Sequence, residues 1–239
     1  MSNSYNNTKK LVTLAILSAI GTVLMFIEIP SPIMWLKIDI SDVVVYLSAV
    51  IYGPIGAVVV AFLKSVIHFA IKGSFVGVPI NQFIAFLASV AYALPLYYFT
   101  KMMRKSKRTG IKKVLPLILS SFVMIIFMTT INFWLTDVYI RLMLTFDITK
   151  IGSVSHNDVL NMVTNDLKFS LPGFIENSSF LPKSIWFWFI VLTYIPFNFI
   201  KSILTSVLFF ILSYRLNVFI EKYKISRVED SILLQINEK

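Results

Sequence analysis

The chain has 239 residues, of which 57% are hydrophobic and only 14% charged, with a mean hydropathy of +0.79. Soluble domains carry about a quarter charged residues, so this balance excludes that class and points to a bilayer, where each spanning helix needs roughly 20 apolar residues. The absence of cysteine removes disulfides, thiolate metal sites and cysteine nucleophiles, and the net charge of +10 reads as basic cytoplasmic loops on anionic lipid, not as nucleic-acid binding.

The reading is all-α: one integral membrane domain over residues 1–239, with six transmembrane helices and both termini cytoplasmic. MSNSYNNTKK leads into a first span at about 11–29, without a small-residue cleavage site, so this run is expected to be retained. Pro30-Ser31-Pro32 breaks it, and a loop with Trp35 and Lys37 follows. A short second run covers about 41–52. Gly53-Pro54 is a turn signal that separates it from a third at about 55–71. After the loop at 72–77, a fourth run covers about 78–100, with Pro79 near its start, where proline is tolerated.

The stretch from Lys101 to Lys113 is the most basic in the chain. A fifth span follows at about 114–139, then a polar segment at 141–183, then a last span at about 184–213 and a charged tail. The positive-inside rule puts Lys9 and Lys10, the 101–113 loop, and Arg215 with Lys222 and Lys224 in the cytoplasm. Segment 141–183 is then external, and a short helix is expected near Asp158 to Leu167, forming part of a lid.

Polar side chains inside spans are costly, so each invites a functional question. Lys64 and His68 lie four apart on one face of the third run; Lys64 reads equally as a structural ion pair with Asp39 or Asp42 or as a functional charge, and His68 as an interfacial residue or a proton relay. Asn132 and Gln82 read either as interhelical hydrogen-bonding groups or as ligand contacts. Asn81 opens the fourth span beside Gln82. Asn198 and Lys201 share a face of the last span, and the lysine is too deep to snorkel well, which favours a ligand role. Ala15 and Ala19, with Ser18 beside them, permit close approach of another helix.

Several chemistries are missing. No phosphate loop of the G-x-x-x-x-G-K-[ST] kind is present, so ATP-driven work would need a separate ATPase. No zinc-protease helix, nucleophile elbow or carboxylate pair within one span occurs, and His68 and His156 are too far apart in sequence to suggest a metal site. No catalytic residue, metal or cofactor is expected, which argues against a membrane enzyme.

In this order, several segments resemble the substrate-binding S components of energy-coupling factor (ECF) vitamin transporters, specifically the riboflavin-specific type. They are Leu36-Lys37-Ile38-Asp39-Ile40-Ser41-Asp42, Tyr52-Gly53-Pro54-Ile55-Gly56-Ala57, Lys64 through His68, Lys72-Gly73-Ser74, Gly77-Val78-Pro79-Ile80-Asn81-Gln82-Phe83, Asn132, and Pro196-Phe197-Asn198-Phe199-Ile200-Lys201. The resemblance implies six helices in the cell membrane, an outward-facing vitamin pocket, and docking onto a transmembrane coupling protein driven by two ATPases. It implies that Ala15 and Ala19 contact that coupling protein, and that Asn132, Asn198 and Lys201 meet the flavin ring. Departures are Ser65 after Lys64, Ala85-Phe86 after the glutamine region, Val43 in place of a proline, and a long external segment.

The chemistry of these residues agrees with the implied ligand. The pyrimidine edge of isoalloxazine alternates carbonyl acceptors with an N–H donor, and an asparagine amide offers the complementary pair. A lysine ammonium stabilises electron density at the ring's N1 and C2 carbonyl, and aromatic faces cover the ring. Ribityl hydroxyls would meet polar groups between Gly73 and Gln82. Three alternatives stay open: a phosphorylated flavin, a different flat vitamin, and a stand-alone secondary transporter, for which inverted repeats would be expected.

Overall fold

In hydrocarbon, backbone N–H and C=O groups must be satisfied within the chain, and long apolar runs achieve this as helices. The computed structural model describes residues 2–31, 33, 35–74, 77–103, 109–179 and 181–223, and most of them are helical. Residues 104–108 of the basic stretch and the tail from Lys224 lie outside the described residues, as do Pro32, Met34, Phe75, Val76 and Phe180.

Helix α1 (Ser2–Met25) is followed by a two-stranded antiparallel hairpin, β1 (Glu28–Pro30) with β2 (Lys37–Asp39), in which Glu28 opposes Asp39. The first helix therefore stops at Met25, short of the predicted 29, because Glu28 to Pro30 enter the hairpin. Then come α2 (Asp42–Lys72), α3 (Ile80–Met103) and α4 (Thr109–Thr145). A 3₁₀ turn (Ile148–Ser153), α5 (His156–Asn161), a π turn (Met162–Asp166) and the short α6 (Gly173–Glu176) lead to α7 (Ile185–Tyr223). Among the described residues, five helices are long and apolar enough to cross a bilayer: Asn7–Met25, Asp42–Lys72, Ile80–Met103, Val114–Thr145 and Ile185–Leu212.

The predicted second and third runs share α2, which is interrupted at Gly53 (φ 77°, ψ −170°). Proline follows at position 54 and cannot donate to the preceding turn, so the helical ladder breaks where the turn signal stands. Lys64 and Asp42 are 22 positions apart, yet their side chains meet at 2.7 Å. A straight helix would separate them by about 33 Å. The chain therefore folds back at Gly53, bringing Pro54–Lys72 alongside Asp42–Tyr52.

The described residues gather into two compact units. One draws on Met1–Ser74, Pro79–Met124 and Ile200–Lys239; within it α2 packs on both α1 and α3. Its centre is lined by Val45, Tyr46, Ala57, Val60, Ala61 and Tyr92, all fully buried, with Tyr46 and Tyr92 stacked at 4.3 Å. The other unit draws on Phe75–Val78 and Ile125–Phe199. There α4 ends with Phe146 in the left-handed region (φ 53°), its N–H bonded to Leu142 O at 2.8 Å. Ser155 and Asp158 then form a capping box that starts α5. The short helix expected near Asp158 to Leu167 is thus present as α5 and the π turn, with Val159 and Val163 buried.

Candidate functional site

The first unit holds four buried charges in one network. Lys64 Nζ lies 2.7 Å from Asp42 Oδ1 and 2.6 Å from Ser41 Oγ. Lys201 Nζ lies 3.0 Å from Asp42 Oδ2 and 3.5 Å from Asp39 Oδ2. Ser41 donates its backbone N–H to Asp39 Oδ1 at 3.1 Å and its hydroxyl to the same oxygen, while Ser89 donates to Asp42 Oδ1. Two carboxylates and two ammoniums balance, which is how buried charge is tolerated. Of the partners open to Lys64, it takes Asp42.

The hairpin positions Asp39 at the end of β2, and the fold-back of α2 delivers Asp42 and Lys64 to one place. Gly21 lies against the Lys64 stem: a Cβ there would stand 3.5 Å from both Cβ and Cδ of Lys64, at ordinary van der Waals contact. The acidic partners of Lys201 escaped the sequence reading because Asp39 is 162 positions away.

The hairpin is also held at its outer edge. Glu28 pairs with Lys37 at 2.6 Å and with Lys72. Partial burial pushes its carboxyl up, but hydrogen bonds and charge from Lys37 and Lys72 prevail, holding it below the usual carboxylate value. In the same unit, Gln82 donates to Gly73 O at 3.1 Å and approaches His68 Nδ1 at 3.5 Å, while Phe26 tilts over the His68 ring. His68 Nε2, Gln82 Oε1 and Ser65 Oγ are buried and take no hydrogen bond among the described residues. Asn81, beside Gln82, is half-buried.

In the second unit, Asn132 and Asn198 are both buried. Asn132 Nδ2 donates to Met128 O at 2.7 Å, one turn back, and its Oδ1 is buried without a partner among the described residues. Asn198 Nδ2 donates to Tyr194 O at 2.9 Å. Thr136, one turn after Asn132, shares a 2.6 Å hydrogen bond with the Tyr194 hydroxyl, one turn before Asn198. Aromatic rings collect in this unit: Trp186 meets Phe133 and Phe189, and Phe189 meets Phe169. Arg141 is tied to Asp137 at 2.6 Å and to Val154 O, fastening the segment after α4.

The five candidate ligand residues are therefore divided. Lys201, Gln82 and Asn81 belong to the first unit, and Asn132 and Asn198 to the second. Ala15 and Ala19 lie on an exposed face of α1 with Ile16 and Ile20, whereas Ser18 is buried and donates to Leu14 O at 2.8 Å. An exposed alanine face and a buried serine face are thus opposite sides of the same helix.

Residues 9–213 match the model of the family described as ECF transporter, substrate-specific component. The riboflavin transporter FmnP of Bacillus subtilis (strain 168) is 35% identical over 127 residues, which cover 52% of this chain and 65% of that protein. The riboflavin transporter RibU of Staphylococcus aureus (strain TCH60) is 28% identical over 216 residues, covering 90% of this chain and 93% of that one. The match thus spans just under two thirds of the Bacillus protein and nearly all of the Staphylococcus protein. A solved structure of the S component of a bacterial ECF transporter aligns with a TM-score of 0.62 and 26% identity, covering 90% of this chain and 98% of its own.

Proposed function

The chain belongs to the substrate-specific component family of ECF transporters, and from that premise we propose that it binds riboflavin and mediates its uptake. It is a multi-pass protein of the cell membrane and a transport component, not an enzyme. The observation that carries the flavin reading is the near full-length likeness to a riboflavin transporter over 216 residues. The second unit adds a chemical reason. Asn132 keeps a buried acceptor without a partner among the described residues, and leaving such an acceptor unmatched costs about 1–3 kcal/mol unless a ligand or water meets it.

Asn132 and Asn198 pair with the donor and acceptor groups of the flavin's pyrimidine edge. They lie one turn either side of the Thr136–Tyr194 bond, so on antiparallel helices they occupy one level. Lys201 supplies the positive charge for the ring's electron-rich N1 and C2 carbonyl. Gln82, whose Oε1 is buried, and Asn81 serve the ribityl hydroxyls.

The proposed topology has six spans with both termini cytoplasmic. The fold-back at Gly53 supports counting α2 twice, because it makes Asp42–Tyr52 and Pro54–Lys72 successive antiparallel passes. Segment 141–183 is then external. The exposed face carrying Ala15 and Ala19 is proposed to dock on a transmembrane coupling protein that two ATPases drive.

A titration tests the ligand. Purified wild-type protein quenches riboflavin fluorescence at nanomolar-scale affinity, and Asn198→Ala and Lys201→Ala each weaken binding at least about a hundredfold, the loss expected when a polar site is left unpaired. Absence of binding by the wild type, or full affinity in both variants, overturns the reading.

A further inference from the structure

Asp42 is the shared member of the buried network, and its two oxygens do different things. Oδ1 accepts from Lys64 at 2.7 Å and from the Ser89 hydroxyl. Oδ2 faces the Lys201 ammonium at 3.0 Å. Lys64 cannot readily move away: it is fully buried, its ammonium also binds Ser41 Oγ at 2.6 Å, and its stem packs on Gly21.

We infer that Lys64 and Asp42 are positioning residues for Lys201: Lys64 holds the Asp42 carboxylate in the orientation whose second oxygen aims the Lys201 ammonium. This deepens the role given to Lys201 above and rests on it. A lysine head group is a point charge on a flexible four-carbon stem, so its direction is set by what it binds. Two anchored carboxylates fix that direction. Asp39 Oδ2 accepts a hydrogen bond from Lys201 at 3.5 Å, whereas Asp42 Oδ2 stands nearer, at 3.0 Å, as its ion-pair partner, and Asp42 is the one braced from behind by Lys64 and Ser89.

Electrostatics makes the brace act on Lys201 and not only on the fold. With Lys64 intact, Asp42 divides its charge between two cations, and Lys201 keeps attraction to spare for a ligand. With Lys64 and Asp42 both neutralised, the network stays balanced as one carboxylate and one ammonium. Lys201 then follows Asp39 alone and leaves its set position. A purely structural pair would behave differently, since replacing both of its members is often neutral.

The decisive variant is the double substitution Lys64→Met with Asp42→Asn, which conserves net charge, compared with Ser89→Ala and Lys201→Met in the full chain. Two quantities are read: acylation of Lys201 by acetic anhydride in ligand-free protein, measured by mass spectrometry, and riboflavin affinity by fluorescence. In the double variant, Lys201 acylation rises several-fold and riboflavin binds at least about tenfold more weakly. Lys201→Met then costs a smaller factor in the double variant than in the wild type, as expected for residues that act through one another. Ser89→Ala, which keeps all four charges, moves both readings in the same direction by a smaller factor.

A double variant that folds with unchanged Lys201 acylation and an affinity within about twofold of wild type overturns the inference. So does a loss that multiplies with that of Lys201→Met. Should the double variant not fold, Ser89→Ala decides through the acylation of Lys201. A wild type that binds no riboflavin sinks the flavin reading instead, and the acylation comparison still judges the network.

Discussion

At the scale of single residues, Asn132 is the proposed ligand contact with an acceptor left open among the described residues. Its amide nitrogen bonds within its own helix, and its buried Oδ1 takes no bond from the described residues. Replacement by leucine, of similar shape, removes that orphaned acceptor and leaves packing largely intact. Asn132→Leu is therefore predicted to unfold at the same temperature as wild type or higher while losing riboflavin affinity at least about tenfold. A variant that loses stability and keeps affinity assigns the amide to structure. The sequence had left Asn132 open between interhelical bonding and ligand contact, since period and burial cost do not say where a free lone pair points. For Lys64 the sequence did better: few carboxylates stand near enough in an apolar chain to neutralise it. Lys201 was legible as a buried cation but not as one of a balanced four, because its partners come from a hairpin and a helix start far away in sequence.

At the scale of elements, α2 carries the main lesson. Gly53-Pro54 was readable as a turn because only glycine accepts φ 77° at no steric cost and proline follows without a donor. The β1–β2 hairpin was not readable: strands of three residues each are too short for alternation to register, and Glu28's pairing with Lys37 and Lys72 is a tertiary event. The fold-back and the positive-inside rule together make a prediction in this cysteine-free chain. A single cysteine at Ile55, 72% exposed beside the turn, is modified by an impermeant thiol reagent only from the cytoplasmic side, and one at Lys150 only from outside. Labelling of Ile55→Cys from outside contradicts the six-span topology.

At the scale of the molecule, binding and uptake are separable if the protein docks on other subunits through α1. Ala15→Trp adds bulk at a position that is exposed among the described residues. Riboflavin affinity of the purified variant is predicted to stay within about twofold of wild type, while uptake in cells falls at least about tenfold, on the scale of a well-packed interface contact. Equal loss of both places the face inside the binding unit. The overall class was legible from composition and run length alone, and the family from ordered local motifs. The division of the candidate ligand residues between two units was not, because no local signal reports which distant helices pack together.

A flavin held by this chain in the membrane leaves that membrane with it on extraction. Extraction of wild-type protein from its native membrane, denaturation and mass spectrometry of the released small molecules is predicted to yield riboflavin in near-stoichiometric amount, and none from Asn198→Ala. Release of a different vitamin in that amount, or of no flavin from a protein that added riboflavin also fails to stabilise thermally, contradicts the account.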